Sequence, residues 1–211
     1  RRMDRQIRGV TAGDIDGDGA TEIVCIDSRT VLIYRITQGR FVKIADFDAG
    51  AANIAVDVAD LNGNGRSELF ITHFNDEKLR SYVLEWEGAG LHRIADNLRW
   101  YFRSIDVADR GRVLVGQRKG MDGLFLPGIF EMGFVRGRYD EVQKLRLPRS
   151  QNIFGFTQGA VRTAGEVDII DYSRDHYLQI TDAKGRQEWS SQESYGGSAN
   201  ALITDPPGDS N

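Results

Sequence analysis

Apolar residues in this chain come in short bursts with the spacing of strands. Glu22 to Asp27 is a brief β-branched run, Thr30 to Ile36 is another, and Arg40 to Phe47 alternates apolar and polar positions. Clusters of Gly, Asp and Asn separate them, as tight turns between strands require. No window of a dozen residues carries a capped stripe of helical period, so the pattern predicts almost no helix. The longest apolar runs are about six residues, far short of the roughly 20 that a membrane-spanning helix needs.

The pattern also returns at a fixed interval. Gly9-Val10-Thr11-Ala12-Gly13 reappears as Gly155-Phe156-Thr157-Gln158-Gly159, and Val58-Ala59-Asp60 as Val107-Ala108-Asp109. Gly39-Arg40-Phe41 returns as Gly137-Arg138-Tyr139 and as Gly185-Arg186, while Lys43-Ile44-Ala45 is echoed by Arg93-Ile94-Ala95. Independent segments agree on a period of about 49 residues, which divides the chain into units at about 7–50, 54–99, 103–149 and 153–200. Four short strands in a unit of that length make a β-propeller blade; the coils of a β-solenoid are usually shorter. The expectation is an all-β propeller of about four visible blades. It forms a single repeat-built domain over residues 1–204, with a tail or linker at 205–211.

Composition narrows the function classes. The 211 residues are 40% hydrophobic, enough to build a core and to exclude wholesale disorder. A formal charge of -4 argues against a general nucleic-acid binder. The single cysteine, Cys25, cannot form an internal disulfide, and its place inside an apolar strand suits a small core residue.

The most specific chemistry lies in the first loop of two units. One reads Asp14-Ile15-Asp16-Gly17-Asp18-Gly19-Ala20-Thr21-Glu22, the other Asp60-Leu61-Asn62-Gly63-Asn64-Gly65-Arg66-Ser67-Glu68. Oxygen side chains at positions 1, 3 and 5, glycines at 4 and 6 and an acid at 9 suit a hard cation. Four carboxylates in the first loop would repel one another without one. An EF-hand is excluded, because position 12 is Cys25 or Ile71 and strand-like runs follow both loops.

A loop of this kind opening a blade-length repeat resembles the FG-GAP or VCBS repeat family, which includes the calcium-binding blades of integrin α-subunits and many bacterial extracytoplasmic proteins. The resemblance implies a propeller, in that family often of about seven blades, with structural Ca²⁺ at two sites. Its ligands would be Asp14, Asp16, Asp18, the Ala20 carbonyl and Glu22, and then Asp60, Asn62, Asn64, the Arg66 carbonyl and Glu68. Its four carboxylates make the first loop the expected tighter site. The resemblance and the metal together imply a periplasmic, surface or secreted location.

The other two units depart from the motif. The third is shorter and keeps only Asp109. The fourth replaces the acids with Ala160, Arg162 and Ala164 and keeps Asp168 at position 9. Arg162 is expected to pair with Asp168 as an internal substitute for the ion. His73, His92 and His176 occupy unrelated positions and form no zinc or nucleophile–base pattern, and no catalytic motif is present. Trp100-Tyr101-Phe102 with Arg103 could form a recognition surface, although the aromatics are better suited to filling the space between blades. The expected function is a non-catalytic module that binds a protein or a glycan. A polysaccharide-active domain with its site at the channel mouth, or a purely structural part of a larger surface protein, are the alternatives.

Overall fold

The computed structural model describes residues 5–50, 52–75, 78–107, 110–120, 125–147, 152–163, 165–172 and 177–194. Their regular elements are all strands, gathered into four successive antiparallel sheets. The first blade is β1 (Gly9–Gly13), β2 (Glu22–Ile26), β3 (Thr30–Thr37) and β4 (Arg40–Asp48). The second is β5 (Asn53–Ala59), β6 (Glu68–Asn75), β8 (Ser81–Glu87) and β9 (Gly90–Leu98), with a two-residue strand β7 (Lys78–Leu79) paired to β6. The third is β10 (Trp100–Val107), β11 (Gly111–Arg118), β12 (Phe130–Val135) and β13 (Arg138–Lys144). The fourth is β14 (Phe156–Gly159), β15 (Asp168–Tyr172), β16 (Tyr177–Asp182) and β17 (Gln187–Ser194).

Each blade is a simple meander, because every connection is short enough only for an antiparallel neighbour. The first strands of the blades stand side by side: β1 packs on β5, β5 on β10, and β10 on β14. This is the all-β propeller arrangement, with the first strands side by side and each sheet running outward from them.

The core lies between the blades, which explains why the second strands, such as β2 and β6, carry short apolar runs rather than strict alternation. On β6, Leu69 and Ile71 face the first blade and join Val24, Ile26, Val31 and Ile33, while Phe70 on the other face joins Trp100, Phe102 and Leu114 of the third. Period-two alternation thus feeds two separate cores from one strand. A third core joins Tyr101, Ile105 and Val115 of the third blade to Ile153, Phe156 and Ile169 of the fourth. Cys25 is buried, as its setting in β2 implied. Among the described residues no helix is long and apolar enough to cross a membrane.

Candidate metal centre

In the first, second and fourth blades the first strand ends in a nine-residue loop that turns back into the second, and the first two loops share one construction. Asp14 accepts from the backbone N–H groups of Gly17 (2.8 Å) and Gly19 (2.9 Å), and Asp60 accepts from Gly63 and Gly65 at the same two distances. The four glycines have φ between 75° and 84°, a left-handed conformation that other residues adopt at a cost. At positions 3 and 5, Asp16 accepts from Asp18 N and Asp18 from Ala20 N. Asn62 and Asn64 do the same for Asn64 N and Arg66 N. The two loops are also knitted together, since Ser67 N donates to the Asp14 carbonyl at 2.9 Å and the Arg66 side chain packs over Gly17.

The ninth-position acid behaves differently from a freely presented ligand. Glu22, Glu68 and Asp168 are fully buried. Each takes the backbone N–H of position 2, from Ile15 (3.0 Å), Leu61 (2.7 Å) and Val161 (3.0 Å) respectively. Glu68 also accepts from Asn62 N and, at 2.8 Å, from the hydroxyl of Tyr139 in the third blade. Burial pushes the Glu68 carboxyl above the ordinary range, and these donors pull it partly back. Both of its oxygens thus accept bonds that close the loop, in the residue that the sequence also assigns to a cation. The Arg66 guanidinium likewise leaves the loop, donating to the Trp86 carbonyl at 3.0 Å.

Two arginines enter these acidic settings. In the first blade Arg35, on β3, puts Nη2 at 2.8 Å from Asp16, 3.0 Å from Asp18 and 2.7 Å from Glu22, with Nε also bonded to Glu22 at 2.9 Å. These bonds hold its protonated form well beyond the usual range for arginine. In the fourth blade Arg162 turns inward and grips Asp168 with Nε at 2.8 Å and Nη2 at 2.6 Å. Burial raises the Asp168 carboxyl, but hydrogen bonds from the Arg162 backbone and guanidinium outweigh it and the net shift is downward. Asp109 of the third unit and His176 lie outside the described residues.

The donor chemistry of the first loop fits a divalent cation. Asp14, Asp16 and Asp18 can each place a carboxylate oxygen within 4.8 Å of the others. The second loop offers a carboxylate from Asp60 and two amide oxygens from Asn62 and Asn64. Sequence reasoning missed Arg35, which is 13 residues from Glu22. The hairpin register was the available signal, since Ile23 pairs with Tyr34 and places residue 35 across from residue 22.

The aromatic recognition surface is not formed. Trp100, Tyr101 and Phe102 are at most 8% exposed, because blades cover both faces of β10. Arg103 donates inward to the carbonyls of Ile153 (2.8 Å) and Phe156 (2.5 Å). Other arginines of the third unit are paired as well, Arg110 with Glu131 at 2.5 Å and Arg118 with Glu141 at 3.2 Å. A cleft of about 370 Å³ opens beside the second loop, lined by Gly13, Asp60, Ser67, Arg112, Glu131 and Met132 among others.

Residues 5–71 match the family model of the FG-GAP-like repeat, a stretch that spans the first blade, the second loop and the start of β6. No curated protein sequence matches the chain. Among solved structures, that of the rhamnogalacturonan lyase YesW is similar with a TM-score of 0.45 and 16% identity. The similarity covers 87% of this chain and 42% of that one, so the chain spans less than half the length of that protein.

Proposed function

We propose that this chain is a calcium-binding, non-catalytic β-propeller module that presents the loop end of its blades to a protein or a glycan at the cell envelope or surface, outside the cytoplasm. The observation that carries the calcium reading is the convergence of Asp14, Asp16 and Asp18 within 4.8 Å on a turn built by two left-handed glycines. Hard oxygen donors at that spacing suit Ca²⁺. The FG-GAP-like match over residues 5–71 supports the same reading and the extracytoplasmic placement.

The role of the ion is structural. Asp14, Asp16 and Asp18 would hold it in the first loop, and Asp60, Asn62 and Asn64 in the second. Bound there, it neutralises a turn whose acids repel one another. A ligand that binds only the folded state stabilises by about 2.7 kcal/mol at a hundredfold excess over Kd. Loops of sub-millimolar to millimolar affinity fit surroundings rich in calcium. The cleft between Asp60 and Arg112 lies on the same end of the blades, and a braced loop gives it a fixed wall for a partner to meet.

The test is thermal unfolding in EDTA and in millimolar Ca²⁺, with calcium titration by calorimetry on the same samples. A saturable binding heat together with a Tm rise of several degrees is expected, and Asp18→Asn should weaken the binding. Absence of both the heat and the shift would reduce the loops to hydrogen-bonded turns and remove the argument for location.

A further inference from the structure

Loop positions 3 and 5 meet one residue of the third strand in both of the first two blades, and the polarity of that meeting is reversed. In the first blade the Oδ2 atoms of Asp16 and Asp18 converge on Nη2 of Arg35, at 2.8 and 3.0 Å. In the second blade the Nδ2 atoms of Asn62 and Asn64 converge on Oε2 and Oε1 of Glu85, at 2.8 and 2.7 Å. Arg35 and Glu85 hold the same place in the repeat. Ile23 pairs with Tyr34 and Leu69 with Leu84, so each stands across from the ninth-position acid of its own loop.

Two acceptors and a donor in one blade are thus matched by two donors and an acceptor in the next. An ionised carboxylate can only accept, so Glu85 would not serve the first loop's carboxylates. In the second loop the Oδ1 atoms of Asn62 and Asn64 already accept from the backbone N–H groups of Asn64 and Arg66, which leaves their Nδ2 donors for Glu85. In the first blade the arginine nitrogen lies among three carboxylates, where a cation would otherwise gather them.

We propose that Arg35 is a resident counter-cation of the first loop. It holds Asp16, Asp18 and Glu22 together when no metal is bound. On the calcium reading given above, it also sets the ion's affinity, because Ca²⁺ must displace Nη2 to reach those oxygens. The first loop then binds calcium more weakly than its four carboxylates alone would dictate.

Two variants test this, Arg35→Gln and the exchange Asp16→Asn/Asp18→Asn/Arg35→Glu, which builds the second blade's arrangement into the first. Arg35→Gln should lower Tm by several degrees in EDTA, recover in millimolar Ca²⁺ and bind calcium about tenfold more tightly than the parent chain. The triple exchange should melt within a few degrees of the parent in EDTA. If Arg35→Gln melts like the parent in EDTA and binds calcium no more tightly, the counter-cation is overturned. A triple exchange as unstable in EDTA as Arg35→Gln would overturn the matched arrangement. If Arg35→Gln loses stability in EDTA while neither protein binds calcium, the counter-cation stands and the calcium reading falls.

Discussion

Asp171 shows how a single residue can run against the core that surrounds it. It is 2% exposed on β15, on the face it shares with Ile169 toward the third blade, and in the repeat it stands where Cys25 and Ile71 stand. Among the described residues neither of its oxygens makes a well-formed hydrogen bond, and the Thr181 hydroxyl on the same sheet face is likewise unsatisfied. The Gln179 side chain across the β15–β16 pair offsets its burial only in part. Burial accordingly pushes the Asp171 carboxyl up to about 6. The folded chain therefore holds this proton more tightly than the unfolded one does. The stability it lends is complete below the unfolded value near 4 and is lost as pH rises through 6. Asp57, also raised to about 6 by burial, contributes in the same direction. A hundredfold difference in proton affinity between folded and unfolded chains is worth about 2–3 kcal/mol. Asp171→Asn should raise stability at pH 7.5 by about that amount, and the gain should vanish by about pH 4. Urea unfolding of both proteins across that pH range measures it, and a gain that does not change with pH would refute the assignment.

At the scale of the element, the loop between the first two strands is held by its own backbone before any ion is considered. The ninth-position acid is its fixed point. That accounts for the fourth loop, where Asp168 persists although Ala160 and Arg162 stand in the places of Asp14 and Asp16. Asp168→Ala would leave the N–H groups of Val161 and Arg162 and the Arg162 guanidinium without their acceptor. Hydrogen bonds to a charged group are worth about 1.5–3 kcal/mol each, and solvent can reclaim part of that loss. The expected destabilisation is about 2–4 kcal/mol in chemical denaturation, equal in EDTA and in calcium. Dependence on calcium would show that the acid acts through a metal instead.

Gly17→Ala tests the turn separately. A left-handed φ of 79° and an Arg66 Cγ only 2.7 Å from the new methyl group should cost about 1–2 kcal/mol. Unchanged stability in denaturation would mean that the turn relaxes. The sequence shows these elements well, because glycine positions, β-branched runs and the repeat each mark a boundary directly. Thr30 to Ile36 was legible as a strand, and the structure extends it by only one residue, to Thr37. The partners of the loop were not legible. Arg35 and Glu85 reach it across a hairpin and Tyr139 from another blade, and no local spacing encodes either relation. Trp100 to Phe102 mark a related limit: alternation says that neighbours face opposite ways, but only the packing of blades says that both sides are covered.

The whole molecule is a row of blades joined face to face, so its cohesion depends on three interfaces with different chemistry. Those between the first and second and the second and third blades are built largely of aliphatic and aromatic side chains, with the bonds from Tyr139 to Glu68 and from Ser104 N to Asp57 crossing the latter. The third also contains a polar anchor. Arg103 reaches from β10 to two backbone carbonyls at the entrance to the fourth blade, and its guanidinium carbon lies 5.6 Å from the centre of the Phe156 ring. Removing it costs the hydrogen bonds and leaves the carbonyls of Ile153 and Phe156 in an apolar surround, about 2–4 kcal/mol in all. In a repeat protein that loss falls on one interface and leaves the others intact. Arg103→Leu should therefore loosen the fourth blade selectively. Amide hydrogen exchange should quicken in β14 to β16 while Val24, Ile33 and Leu69 keep their protection. Uniform acceleration across all four sheets would mean that the blades unfold as one cooperative unit and that Arg103 stabilises the propeller as a whole.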